Sequence, residues 1–212
     1  MIVVIGSPAG RQTEQGIEAA GIAATIARVA AASGADVQLV GKVGEGAVGD
    51  AVLLSLADSK VGHVAVLRDA SNATPIEASG RDTEAVLDDE PSTDRSDGLG
   101  PTLDAGDLEL ALRYLPDYRV VVVADPLDDQ ALGTVVAAAR WAGAQLIVVV
   151  PAGSKAGALP EDATVLESPD VDPDGAFGTV VGAYAVALDR GAAPAEAFAA
   201  ASAGSGWSAV SD

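Results

Sequence analysis

Short runs of valine and isoleucine, bounded by glycine or proline, alternate along this chain with alanine-rich stretches of helical spacing. Ile2–Ile5 predicts a buried strand, residues 13–32 a helix, and residues 37–40 a second strand. A helix near 48–57 and a strand at 63–67 follow. Residues 119–124 and 145–150 are almost unbroken apolar runs, as expected of strands covered on both faces. Between them, residues 127–143 place Leu132, Val135, Val136 and Ala139 on one helical face. Helical spacing returns at 103–115, with Asp104 positioned to cap the helix start. This alternation predicts an α/β fold: three α/β/α layers around a mostly parallel sheet. Residues 81–99 break the pattern. They carry seven acidic residues and two arginines, with Pro91 and Gly98, and read as a solvated acidic loop or hairpin.

Composition narrows the picture. A length of 212 residues suits one domain, residues 1–212, large enough to bury a core without staples. There is no cysteine, which removes disulfide frameworks and thiolate metal sites. Twelve basic residues against 31 acidic ones give a net charge of −19 and argue against nucleic acid or an anionic membrane as partner. The N-terminal Met-Ile-Val-Val-Ile-Gly lacks a basic n-region, and no stretch approaches the roughly 20 apolar residues of a membrane span. The expectation is a cytoplasmic protein.

Common nucleotide and metal motifs are not met. Lys42 is not followed by Ser or Thr, so Val40–Val43 is no Walker A loop. Gly6-Ser-Pro-Ala-Gly10 lacks the glycine order of a dinucleotide turn. His63, the only histidine, begins a predicted strand without a partner ligand and reads as structural, so no metal site is assigned. Trp141 and Trp207 read as core or C-terminal packing residues.

The most informative stretch is residues 171–191. A helix beginning near Gly175 has small residues in its first turn and an apolar face of Phe177, Val181, Tyr184, Ala185 and Leu188. Such a helix start can hold an anion on its backbone N–H groups. Just upstream, Asp172 and Asp174 bring negative charge to that end, and Pro173 has no N–H to offer. The stretch resembles the C-terminal signature of the ribokinase (PfkB) carbohydrate-kinase family, Gly-Ala-Gly-Asp-Ala-Phe. With Ala176 and Phe177 as anchors, the catalytic aspartate of that family falls on Gly175.

A second part of the resemblance lies near the N-terminus. Residues 20–25 and 33–49 are similar to the family's Gly-Gly pair, its substrate-contacting Asn, and its Gly-Lys-Val-Gly-Asp-Asp-x-x-Gly. Gly21, Gly41, Lys42, Val43, Gly44 and Gly49 match; Ala20, Thr25, Glu45 and Gly46 depart from the pattern. Gly62-His-Val, Asn72-Ala-Thr-Pro75, Gly100-Pro-Thr-Leu103 and Ala124-Asp-Pro126 fall in family order. So does Gly153-Ser-Lys-Ala-Gly157, similar to the family's nucleotide-side turn. The resemblance implies a ribokinase-like fold with its β-lid reduced or absent, since strand one reads as running almost straight into the first helix. It also implies that the family's Asn-x-x-Glu segment is missing between Ala124 and Gly153. By the same resemblance Gly21, Thr25, Gly41, Lys42 and Gly44 are substrate-side, and Gly153, Ser154, Gly175, Ala176 and Phe177 are anion- or nucleotide-side.

Phosphoryl transfer needs a base for the acceptor hydroxyl and positive electrostatics around the transferred phosphate. Asp174 stands one residue early for that base, a rotation of about 100° on a helix start. The leading expectation is a degenerate sugar-kinase homologue that is non-catalytic or impaired and binds a sugar or nucleoside or serves structurally. The rival is an active ATP-dependent carbohydrate or nucleoside kinase, using ATP and Mg²⁺ with Asp174 as base. A third reading is a scaffold whose exposed sheet edge is covered by a partner or, as a homo-dimer, by a second copy.

Overall fold

Four consecutive valines, Val120–Val123, are all buried, because the strand they form lies inside a sheet with helices on both faces. The computed structural model describes residues 1–77, 100–154, 159–169, 172 and 175–205. Its elements are β1 (Ile2–Ile5), β2 (Ala9–Thr13), β3 (Gly16–Ala20), α1 (Ile22–Ala32), β4 (Val37–Gly44), α2 (Ala47–Asp58), β5 (Gly62–Asp69) and β6 (Ile76–Glu77). They continue as α3 (Ala105–Tyr114), β7 (Val120–Val123), α4 (Asp129–Ala142), β8 (Gln145–Pro151), β9 (Thr164–Ser168), α5 (Ala176–Asp189) and α6 (Pro194–Ser205).

Six strands form the central sheet in the order β5-β4-β1-β7-β8-β9, every neighbouring pair parallel. Alternation along β1 feeds two cores. Ile2 and Val4 join α1, α2, α5 and α6 on one face, whereas Val3 and Ile5 join α3 and α4 on the other. The predicted three-layer α/β/α fold is therefore the observed one. The Asp104 cap is also present: its carboxylate accepts the Asp107 N–H while the Asp107 side chain accepts the Asp104 N–H, a reciprocal box. On α5, Phe177, Val181, Tyr184, Ala185 and Leu188 are all buried.

The helix predicted over residues 13–32 is half hairpin. β2 and β3 pair antiparallel, with Thr13 opposite Gly16, and α1 begins only at Ile22. Thr13 Oγ1 donates to the Gly16 carbonyl across the turn, and Gly16 has φ of +128°. Residues 16–20 are too short to show a strand pattern, and their closing alanines, Ala19 and Ala20, merge with the helical run that follows. A second sheet results, three-stranded in the order β3-β2-β6. It is seated on α2: a Cβ at Gly10 would lie 3.0 Å from Val48, and the Ala19 N–H donates to Ser55 Oγ at 3.0 Å. A small second sheet thus stands where a reduced or absent lid was expected, and β1 does not run straight into α1.

Trp141 is a further correction. It is 91% exposed on α4 and belongs to neither core. The acidic segment 81–99 and Trp207 lie outside the described residues. Among those residues no helix is long and apolar enough to cross a membrane.

Candidate functional site

The chain leaves β1 toward β4 and β5 on one side and later fills the other side with β7, β8 and β9. Loops after β1 and β7 therefore diverge, and in open parallel sheets the crevice beyond such a switch point is where ligands bind. Here it holds Ser7 and Asp125. The Ser7 N–H donates to Asp125 Oδ2 at 2.7 Å, joining the two loops across the top of the sheet. Burial pushes the Asp125 carboxyl up from its ordinary value, and the Ser7 hydrogen bond opposes that rise. Gly6 makes the approach possible: a Cβ there would lie 2.8 Å from Ala23 Cβ and 3.0 Å from the Asp125 carboxyl carbon.

Beside this pair runs the glycine-rich end of β4. A Cβ on Gly41 would stand 2.5 Å from the Gly6 carbonyl oxygen, and one on Gly44 would stand 2.5 Å from the Asn72 carbonyl oxygen. Both glycines are required by close backbone packing. The Gly44 N–H donates to buried Thr74 Oγ1 at 2.8 Å. Lys42 lies between them. Its N–H donates to Ser7 Oγ at 3.2 Å, and its ammonium meets Asp107 Oδ2 at 2.5 Å, both side chains largely buried. Asp107 thus caps α3 and neutralises Lys42 together.

The helix start singled out in the sequence is formed as expected. Gly175 caps α5 with φ of +65°, a conformation that favours glycine. The Asp172 carboxylate folds over this end and accepts the Phe177 N–H, at 3.1 Å from Oδ2. A protein carboxylate therefore occupies the positive end of the helix. The same exchange recurs at the turn after β8, where the Gly153 N–H donates to Glu167 Oε1 at 2.6 Å. Ala176 lies in the first turn of α5. Asp174, Pro173 and residues 155–157 lie outside the described residues.

Thr25 and Gly175, assigned to opposite sides of the reaction, line one groove of about 460 Å³ with Arg11, Arg28, Val29, Ala32 and Ser59. Their closeness follows from helix packing, since a Cβ on Gly178 would lie 2.9 Å from Thr25 Cγ2. Gly21 caps α1 with φ of +91° and turns the chain from β3 into the helix. Both arginines of the groove are engaged: Arg11 with Glu77 at 2.7 Å, and Arg28 with the Ala19 carbonyl at 3.2 Å. Ser154 instead lines a separate cavity of about 180 Å³ with Asp125 and the ends of β7 and β8. His63 keeps a structural contact, its Nδ1 3.2 Å from the Val61 carbonyl.

Sequence reasoning missed Ser7, Asp107, Asp125 and Glu167. Asp125 carried one signal, an acid directly after a buried apolar strand. Glu167 carried none, because its partner is set only by the pairing of β8 with β9.

No family model matches the sequence, and no curated protein sequence matches it. Solved structures do match. Ribokinase of Arabidopsis thaliana, complexed with ribose and ATP, superposes with a TM-score of 0.63 at 18% identity, covering 96% of this chain and 90% of that one. The fold is ribokinase-like. An E. coli structure described as ribokinase II, in complex with ATP and Mg²⁺, gives a TM-score of 0.67 at 14% identity over 96% of this chain and 91% of its own. Aminoimidazole riboside kinase of Salmonella enterica, with aminoimidazole riboside and an ATP analogue, gives 0.63 at 14% over 96% and 91%. At identities of 14–18% the likeness is one of fold.

Proposed function

We propose that this ribokinase-like chain binds an uncharged sugar or nucleoside and does not transfer phosphate. The observation that carries the reading is the pairing of its donors. The N–H groups of Ser7, Gly153 and Phe177 and the ammonium of Lys42 hold, in turn, the carboxylates of Asp125, Glu167, Asp172 and Asp107. An incoming phosphate meets carboxylates where it needs donors. A like charge at about 4 Å costs roughly 4 kcal/mol at an effective dielectric of 20. These paired donors do not fit the phosphates of ATP. A neutral polyol requires no such donors, and the groove at Thr25 offers it a hydroxyl and the apolar side chains of Val29 and Ala32.

The rival reading is an ATP-dependent carbohydrate or nucleoside kinase with Asp174 as base. It is supported by the solved kinases of this fold that hold ATP.

Thermal unfolding with pentoses, hexoses, nucleosides and ATP·Mg²⁺ separates the readings. At about 100 times its dissociation constant a ligand adds roughly 2.7 kcal/mol to stability. Sugar or nucleoside is expected to raise Tm, and millimolar ATP is not. A rise with ATP, together with phosphorylated product lost in Asp174→Asn, would establish the kinase instead. No rise with any of them leaves the scaffold reading.

A further inference from the structure

β5 closes one end of the central sheet, and among the described residues no strand pairs with its outer side. It has eight residues, and from Gly62 to Leu67 it carries no Lys, Arg, Asp, Glu or Pro, the residues that ordinarily guard an open edge. Val64 is 81% exposed on this strand, and Leu54, on the helix that leads into it, is 67% exposed. We propose that β5 pairs antiparallel with β5 of a second copy of the chain, about a two-fold axis that passes through Val66 perpendicular to the sheet. The proposal is independent of the ligand reading above.

The helix beside the strand selects the occupant. A Cβ on Gly49 of α2 would lie 2.9 Å from Arg68 Nη1, and Ala57 of α2 lines a shallow cleft with Val64. Leu54, between Gly49 and Ala57, therefore stands level with Val66, between Arg68 and Val64. The axis that pairs the strands thus also brings Leu54 against its counterpart. Because α2 packs on both β4 and β5, it covers the gap between them. With strands about 4.8 Å apart, the two copies of α2 then lie about 10 Å apart, an ordinary helix-packing distance. A strand from elsewhere would satisfy the backbone of β5 and leave Leu54 bare. A second copy covers the backbone, Val64 and Leu54 around one axis.

Charge along the strand agrees with this register. Lys60 and His63 lie at its start, and Asp69 ends it. About Val66, His63 stands opposite Asp69, and Val64 opposite the stem of Arg68, with no like charges opposed along the strands. On the helices Asp50 and Asp58 meet across the axis. Arg68, which already holds Asp50, stands at that level and serves both carboxylates.

The other edges offer less. β9 has five residues and carries Glu167, β6 has two, and β3 is seated on α2 by the Ala19–Ser55 bond.

The test uses the full chain. Analytical ultracentrifugation at about 100 µM chain and about 0.15 M NaCl is expected to show a dimer. Val64→Lys sets a lysine opposite Arg68, and Leu54→Lys sets two lysines face to face, so each should weaken the dimer by about tenfold or more. Register is read by cross-linking, since the chain has no cysteine of its own. Directly opposed residues have Cα atoms about 4.5–5.5 Å apart, so Val66→Cys should give a covalent dimer with diamide. In Val64→Cys the two thiols are offset by about 13 Å along the strands, and no such product is expected. A wild-type monomer, a dimer indifferent to both lysines, or equal cross-linking of the two cysteine variants would each overturn the proposal. Circular dichroism of every variant separates unfolding from dissociation.

Discussion

Asp125, after β7, accepts the backbone N–H of Ser7, after β1, at 2.7 Å, so the crevice of the parallel sheet is bridged by one hydrogen bond between residues 118 apart in sequence. A ligand entering from above meets a carboxylate whose best donor is already taken. Burial raises that carboxyl, so the folded chain keeps its proton to higher pH than the unfolded chain does. Stability from this group is fully present below the unfolded pKa and is lost as pH rises through the folded one. Asp125→Asn keeps an acceptor for Ser7 and removes the titration. Relative to wild type, the variant should gain stability between about pH 4 and about pH 7, the window above the ordinary carboxylate value. Urea midpoints of both proteins at the two pH values check this, and an unchanged difference would refute it.

Lys42 and Asp107 form a largely buried pair in which one carboxylate also caps α3. Lys42→Met strands that carboxylate and should cost about 1–3 kcal/mol, less than a fully buried pair because both groups touch solvent. Asp107→Asn keeps the cap and loses the charge. A double-mutant cycle by denaturant unfolding should show coupling of roughly 0.5–3 kcal/mol, whereas additive losses would mean that the pair is not maintained in solution.

Asp172 tests the blocked helix start. Removing its side chain in Asp172→Ala should cost about 0.5–2 kcal/mol through lost capping, while Asp172→Asn should retain most of it. Combining Asp172→Ala with Glu167→Gln removes two carboxylates that hold the backbone N–H groups of Phe177 and Gly153. Affinity for inorganic triphosphate, measured by calorimetry, should then rise by at least about tenfold. An unchanged affinity would show that something other than these carboxylates keeps phosphate away.

Gly41 tests the packing account of the glycine-rich strand end. A methyl group there is aimed at a backbone carbonyl 2.5 Å away, and backbone moves less readily than a side-chain tip. Gly41→Ala should cost about 1–3 kcal/mol, a loss of several degrees in Tm for a chain of this size. A thermal melt equal to wild type would mean that the glycine is there for another reason.

The strands at Ile2–Ile5 and Val120–Val123 were legible because burial on both faces leaves a continuous apolar run. The Asp104 cap was legible because capping is local. Residues 16–20 were misread because alanine suits either a half-buried strand or a helix, and only pairing with β2 and seating on α2 decide between them. Trp141 was misread by residue type, although the spacing of Leu132, Val135 and Ala139 already places it off the buried face of α4.

Periodicity, caps and the run of glycines determined the layers, the strand order of events along the chain, and the helix start at Gly175. Those features depend on neighbours within a turn or two, which the chain states outright. Only the tertiary structure decided that Asp125, Asp107, Glu167 and Asp172 are held by Ser7, Lys42, Gly153 and Phe177. Such matches depend on register between distant strands and on loops brought together by a sheet, where a displacement of one residue breaks the hydrogen bond and leaves the local pattern unchanged.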